Sequence, residues 1–207
     1  MIEEISQIEQ SLRDQAATKQ DLQIIEEMIK AAVMYGHKKT RTNPKFKPFI
    51  FATRNGIEII NLNLTLQKLE EAVTFLKEKI KEKAAVLVVA TQPSAEESVA
   101  KFTKEFNFSY VQGRWIGGLL TNFKIISGRI EYFKKLKADF ENGEFEKYTK
   151  KERLKIIKKI QKMNELFGGL ENLTKKPDII FMIDPSIKGH RTAVREANRC
   201  GIPIVAI

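Results

Sequence analysis

Strands and helices alternate along the second half of this chain, and this order constrains the fold more than any other feature. The apolar run AVLVVAT at residues 85–91 predicts a strand buried on both faces, and a helix from about 96 to 106 follows it. The later members of the series are a strand near 108–111, a strand within 178–184, a helix over 190–199 and a final strand in IPIVAI. Such alternation predicts a mainly parallel sheet with helices on both faces.

Residues 123–167 interrupt the alternation with two amphipathic helices, which meet near Asn142. Thr149, followed by Glu152, has the spacing of a capping box and is expected to begin the second helix. We expect the pair to project as an antiparallel helical hairpin rather than to pack wholly on the sheet. We call this hairpin the arm.

The N-terminal part of the chain is predicted to hold helices and a β-hairpin. Residues 2–33 show the apolar spacing of a helix, in one piece or in two with a capping signal at Thr18–Asp21, and residues 1–18 form an acidic extension. The pair Asn55–Gly56 stands between two apolar stretches, which predicts a tight hairpin turn. We therefore expect a single α/β domain over residues 19–207, preceded by the extension and interrupted by the arm.

We call the segment from Tyr35 to Phe51, YGHKKTRTNPKFKPFIF, the basic loop. Pro44 and Pro48 restrict φ and favour extended geometry in the residues before them, which predicts a stiff loop rather than a helix. The segment has no acid and five cationic side chains: Lys38, Lys39, Arg41, Lys45 and Lys47. Clustered cations favour nucleic acid as a partner, because neutralised phosphates release counterions. A solvated basic loop is the alternative.

Charge is distributed unevenly along the chain, whose net charge is +10. Residues 31–60 hold six bases against one acid, and residues 124–167 hold thirteen bases against seven acids. These two basic regions indicate a polyanionic partner, with an anionic membrane surface as the competing explanation. The sequence has no run of 18 apolar residues, and its acidic start resembles neither a secretory signal nor a transit peptide, so we expect a cytosolic protein.

GRWIGGLLTNF, at residues 113–123, places three glycines near the end of a predicted strand, where open α/β sheets often bind phosphates. The segment, called the glycine turn, matches neither dinucleotide nor P-loop spacing. Arg114 is a candidate for a phosphate contact, and Trp115 for stacking or, with greater weight, for core packing. Thr121 or Asn122 is expected to cap the first helix of the arm.

The remaining polar candidates have structural explanations. Asp184 follows a strand without an evident metal-binding partner, so we expect it to cap or brace the turn. Cys200 is expected to be a packing residue, since neither His37 nor His190 lies in a nucleophile motif. Fold alone leaves open a nucleotide- or sugar-phosphate-binding enzyme on a Rossmann-like scaffold. A third hypothesis is a protein-interaction module that uses the acidic N-terminal helix.

Four blocks then occur in a characteristic order: GHKKTRTNPKFKPFIFATRNGIEIINL, GRWIGGLLTNF, KPDIIFMIDP and AVREANRCGIPIVAI. Together they resemble the family of the second protein of the small ribosomal subunit, in its bacterial form, over about residues 22–207. The resemblance implies a flavodoxin-like parallel sheet with a protruding helical hairpin, no catalytic activity, no cofactor and no small-molecule substrate. It also implies a cytoplasmic protein on the solvent side of the subunit, which binds small-subunit ribosomal RNA and neighbouring ribosomal proteins and helps to recruit the messenger-binding protein one.

Charge and resemblance together predict the RNA-binding residues: His37, Lys38, Lys39, Arg41, Asn43, Lys45, Lys47, Arg114, Trp115, Lys150, Lys151 and Arg153. The loop positions that match the family are Gly36, His37, Arg41, Asn43, Pro44, Lys45, Lys47 and Pro48. Thr42 replaces the family's usual Trp, which removes one stacking or packing contact. Ala32 and Met34 stand where bacterial members commonly have Gly and His.

Overall fold

The computed structural model describes residues 7, 10–13 and 19–207. The capping signal expected at Thr18 and most of the acidic extension lie outside the described residues. The chain divides into two compact units, Met1–Glu78 and Lys79–Ile207. A single domain over residues 19–207 stays a prediction.

The first unit contains a three-stranded antiparallel sheet in the order β1-β3-β2. Its elements are α1 (Lys19–Lys30), β1 (Tyr35–Lys38), β2 (Ile50–Arg54), β3 (Ile57–Ile60) and α2 (Leu62–Lys81), of which the last three residues belong to the second unit. Asn55 (φ 48°) and Gly56 (φ 74°) join β2 to β3 with positive φ at both turn positions, so the predicted hairpin is confirmed. A small core collects Leu12, Ile25, Met34, Ile59 and Leu62.

The basic loop differs in part from the prediction. Its first residues form β1, which pairs with β3 through Tyr35 and Ile59, because β3 would otherwise present one edge without partners. The rest is indeed not α-helical, and consists of two 3₁₀ segments, Lys39–Arg41 and Pro44–Phe49, before β2 begins. The loop is therefore an ordered excursion between two paired strands.

The second unit contains four parallel strands in the order β5-β4-β6-β7. Its elements are β4 (Val86–Val89), α3 (Pro93–Phe106), β5 (Ser109–Val111), α4 (Phe123–Glu141), α5 (Lys150–Phe167), a 3₁₀ turn (Gly168–Leu170), β6 (Ile179–Met182), α6 (His190–Cys200) and β7 (Ile204–Ala206). The parallel α/β arrangement confirms the predicted fold class. Helix α3 begins before its predicted start at 96, because Pro93 suits the first turn of a helix.

The core of the second unit joins the sheet to the base of the arm. All four residues of β4 are buried, as the prediction requires. Residues of the arm in the same core include Ile126, Ile130, Phe133 and Phe167. The part of the hairpin next to the sheet therefore packs on it. Leu154, near the start of α5, is 54% exposed.

The two helices of the arm begin in different ways. The predicted capping box is present in α5, where Thr149 and Glu152 each accept a hydrogen bond from the other's backbone N–H. Asn122 occupies the N-cap of α4, but its side chain makes no capping hydrogen bond. The predicted side-chain cap on α4 is therefore wrong, and the hydroxyl of Thr121 instead donates to Glu196.

Candidate nucleic-acid interface

The basic loop is fastened to strand β3 and its flanks at both ends. The backbone N–H of Lys39 donates to the carbonyl of Gly56 at 2.8 Å, and the N–H of Asn61 donates to the carbonyl of Phe49 at 2.9 Å. Thr42, which stands where the family usually has Trp, donates its hydroxyl to the carboxylate of Glu58. These contacts limit the conformations of the loop and so reduce the entropy lost when it binds a partner.

The cations of the loop face solvent. All five are exposed, and within the described part of the chain no ion pair joins any of them to a carboxylate. Glu58 is 7% exposed beneath the loop and is engaged by Thr42. The oxygen of Asn43 accepts from the backbone N–H of Lys45 at 3.0 Å, which braces the second 3₁₀ segment. A stiff, exposed cationic surface of this kind suits a polyanion.

Two substitutions noted in the sequence have local consequences in the first unit. Ala32 adopts φ 59°, a left-handed conformation that glycine enters more easily. Met34 is 1% exposed and belongs to the small core, so it packs as an ordinary apolar residue.

The glycine turn is organised around the carboxylate of Glu196 in α6. Backbone N–H groups of Gly118 and Leu120 donate to it at 2.8 and 3.1 Å, and the indole N–H of Trp115 donates at 3.3 Å. Thr121 adds donors from its backbone N–H and its hydroxyl. The turn's amides thus already bind an anion, and that anion belongs to the protein.

Hydrogen bonds outweigh burial in setting the charge state of Glu196. Burial acts to raise the pKa of its carboxyl group, but the N–H groups of Gly118, Leu120 and Thr121 and the indole of Trp115 stabilise the carboxylate. Their combined effect holds the pKa of Glu196 below its usual value. The residue is therefore charged at neutral pH.

This arrangement disfavours a nucleotide site at the glycine turn. A phosphate at the glycine turn would compete with Glu196 for the same backbone donors. Trp115 is 5% exposed and packs in the core of the second unit, which favours its packing role over stacking. Arg114 beside it is exposed.

A groove lies between the glycine turn and the arm, and we call it the arm groove. Its volume is about 970 Å³. Six cationic side chains line it: Arg114, Arg129, Lys155, Lys158, Lys159 and Lys162. Glu165 is the acid among its lining residues, so cations outnumber acids there by six to one. The arm groove is therefore a second surface that suits an anionic ligand.

The three predicted RNA-binding residues of the arm lie outside the arm groove. Lys150, Lys151 and Arg153 are exposed in the first turn of α5 and do not line the arm groove. The excess of bases along the arm, which include Lys155, Lys158, Lys159 and Lys162, indicates an RNA face or a solvated face in the sequence. These four positions follow i, i+3, i+4, i+7 spacing and share one helix face. Arg129 has no such signal, because it reaches the groove only through the pairing of α4 with α5.

Open α/β sheets often bind ligands in the crevice at the carboxyl ends of their strands. In this protein, internal hydrogen bonds cross the crevice at the ends of β4 and β6. Asp184 accepts from the amide of Gln92 at 2.6 Å and from the backbone N–H of Ser186 at 3.0 Å, which confirms that it braces the turn. Buried His190 donates from Nδ1 to the carbonyl of Asp184 at 2.7 Å, because a carbonyl only accepts. Its Nε2 lies 2.9 Å from the hydroxyl of Thr91.

Two negative findings hold for the described residues. Among them, no cluster of three or more His, Cys, Asp or Glu side chains has the geometry to hold a metal ion. None of their helices combines the length and the apolar character needed to cross a membrane. Cys200 is a free thiol that is partly buried against the core, as expected for a packing residue.

Comparison with known proteins adds a further finding. The family model described as ribosomal protein S2 matches residues 28–207. The chain is 42% identical over 184 residues to the small ribosomal subunit protein uS2 of Dictyoglomus thermophilum, an alignment that covers 89% of this chain and 74% of that protein. It is 42% identical over 182 residues to the uS2 protein of Petrotoga mobilis, covering 88% and 62%, and 39% identical over 183 residues to that of Coprothermobacter proteolyticus, covering 88% and 68%.

Proposed function

The chain belongs to the ribosomal protein S2 family, and from this premise we propose that it acts in translation as a structural constituent of the small ribosomal subunit and binds the RNA of that subunit. The family consists of structural proteins rather than enzymes. The proposed setting is the cytoplasm, on a ribosome of the bacterial type.

The observation that carries RNA binding is the set of exposed cations on the fastened basic loop. Lys38, Lys39 and Arg41 are exposed on a segment that strand pairing and the Thr42–Glu58 contact hold in place. Lys45 and Lys47 extend this cationic surface, and His37 adds a donor beside it. Such groups bind phosphates and fix register without reading bases, so shape and charge govern recognition.

We assign the other predicted residues supporting roles in the same function. Lys150, Lys151 and Arg153 contact phosphates from the exposed start of α5. Arg114 makes a phosphate contact beside the glycine turn, and buried Trp115 positions it by packing rather than by stacking on a base. The proposed protein partners are neighbouring small-subunit proteins and the messenger-binding protein one, whose docking rests on the family resemblance.

Charge reversal in the basic loop tests the proposal. The variant carries Lys38→Glu, Lys39→Glu and Arg41→Glu, and we expect roughly tenfold or lower incorporation into small subunits because phosphate contacts become repulsive. Incorporation is measured by sedimentation through a magnesium-containing sucrose gradient, with and without RNase treatment of the lysate. The wild-type protein should migrate with small subunits and lose that position after RNase.

The matched control reverses three exposed lysines outside the loop, with Lys77→Glu, Lys81→Glu and Lys83→Glu. It has the same change in net charge, so it should enter subunits nearly as well as wild type. Equal incorporation of the loop variant and wild type would contradict the assignment of the loop. A wild-type peak that is free and insensitive to RNase would contradict the ribosomal function itself.

A further inference from the structure

We propose that the arm groove binds a single-stranded segment of RNA, with phosphates on its cationic rim and bases against its apolar floor. This inference rests on the proposed function, because it names the form of RNA that one surface of the second unit takes. The geometry that carries it is the combination of concentrated positive charge with exposed apolar and aromatic surface in one concave site.

Three cations of the groove form no ion pair with a carboxylate among the described residues. Within the described residues no carboxylate forms an ion pair with Arg129, Lys158 or Lys162, although these side chains lie on facing helices. Like charges held near one another raise the energy of the unbound surface, and a polyanion that enters the groove relieves the repulsion. The groove is thus complementary to a phosphate chain.

The apolar residues that form the floor of the groove favour a single strand over a duplex. Ile116, Met163 and Leu166 line it, and Leu166 is 39% exposed. A duplex presents phosphates and sugars outward and keeps its bases stacked inside, so it would leave this apolar surface uncovered. An unpaired segment can turn its bases onto the floor while its phosphates stay on the rim.

Tyr132 provides an aromatic surface whose position is fixed. Tyr132 is 46% exposed, and its hydroxyl accepts a hydrogen bond from Lys159 at 2.7 Å. The ammonium of Lys159 also lies 4.7 Å from the ring centroid. A ring held in this way loses little freedom when a base stacks on it, and stacking tolerates any base.

Binding of fluorescein-labelled oligouridylate to the purified full chain tests the inference by anisotropy. The groove variant, Lys158→Glu with Lys162→Glu, should bind on the order of tenfold more weakly or worse, because two phosphate contacts become repulsive. The matched control reverses Lys134 and Lys135 to Glu on α4, where they are exposed and do not line the groove. It should stay within about threefold of wild type, since only diffuse charge changes.

Two further measurements separate the single strand from other ligands. Tyr132→Leu should weaken oligouridylate binding by about tenfold, whereas Tyr132→Phe keeps the ring and should stay within about twofold. An unlabelled duplex RNA with the same number of nucleotides should compete at least about tenfold less well than oligouridylate. Circular dichroism and thermal unfolding of each variant verify that the fold is retained.

Equal losses in the groove variant and its control would overturn the inference, as would equal competition by the duplex. It would also be overturned if an acidic, aromatic peptide bound in a groove-dependent way while RNA binding ignored the groove, since the site would then take protein. If the groove variant binds oligouridylate normally while the loop variant still fails to enter small subunits, this inference fails and the proposed function stands.

Discussion

Glu196 determines the conformation of the glycine turn, because one carboxylate binds the turn's backbone N–H groups and the indole of Trp115. No local sequence feature distinguishes this residue from an ordinary polar position in a helix. Its donors are 75 to 81 positions away along the chain. The glycines and the buried Trp were predictable from residue type, but the anion that joins them is visible only after the helix docks.

We predict that Glu196 makes stability depend on pH. In Glu196→Gln, one oxygen faces several donors and the amide NH₂ opposes backbone N–H groups, so the free energy of unfolding at pH 7 should fall by about 2–3 kcal/mol. The pKa of Glu196 is lowered in the folded state, so the unfolded chain binds more protons at acid pH and the wild type loses this stability as pH falls.

Urea unfolding between pH 7 and pH 3 measures this difference. The gap between wild type and Glu196→Gln should be complete above the unfolded pKa of about 4.3 and should narrow as pH falls through the lower folded pKa. Arg195→Gln, at an exposed neighbouring position, should lie within about 0.5 kcal/mol of wild type throughout. A gap that stays constant across the acid range would show that the charge of Glu196 is not what matters.

Gly169 leads to a second prediction at the scale of one residue. A Cβ at this position would lie 2.3 Å from the carbonyl oxygen of Tyr110 and 2.5 Å from its ring, so the 3₁₀ turn against β5 would have to shift. Gly169→Ala should therefore destabilise the protein by about 1–3 kcal/mol. Gly128→Ala is the matched control, because a Cβ there meets nothing within 4 Å and alanine favours the helix α4. Equal thermal unfolding midpoints for the two variants would contradict the steric argument.

At the scale of elements, strands with a strong internal pattern were predictable and strands that depend on a neighbour were not. Fully buried β4 was evident from its run of apolar residues, and the Asn55–Gly56 pair specified the hairpin of β2 with β3. Strand β1 has mostly exposed residues and no apolar alternation, and it forms because β3 offers an unpaired edge. Pairing that depends on a distant edge leaves little trace in local composition.

The capping box of α5 gives a prediction at this scale. Thr149→Ala removes the side-chain acceptor for the N–H of Glu152, so amide hydrogen exchange in the first turn of α5 should accelerate roughly fivefold. Thr149→Ser keeps the hydroxyl and should retain nearly all the protection. Exchange in α4, measured in the same experiment, should not change. Similar acceleration in both variants would mean that the hydroxyl does not protect this helix end.

For the whole molecule, the charge pattern was predictable in amount but not in arrangement. The sequence places an excess of base in residues 31–60 and again in residues 124–167, and the structure assigns these regions to different units. The face of the arm that carries most of the groove's charge combines α5 with Arg129 of α4, and such a combination depends on how the two helices pair. Charge counting therefore predicts a polyanionic partner, while packing decides which cations act together.

The loop cations and the groove cations belong to different units, and we predict additive salt dependence in their binding to small-subunit RNA. Each lost phosphate contact should lower the slope of log affinity against log salt concentration by about 0.7–0.9. The loop variant, with Lys38, Lys39 and Arg41 reversed, should lose a slope of roughly 2–3, and the groove variant, with Lys158 and Lys162 reversed, roughly 1–2. The combined variant should lose the sum, because contacts with different phosphates act independently. Filter binding at several salt concentrations measures the slopes, and a combined variant no different from the loop variant would mean that the groove adds no phosphate contacts of its own.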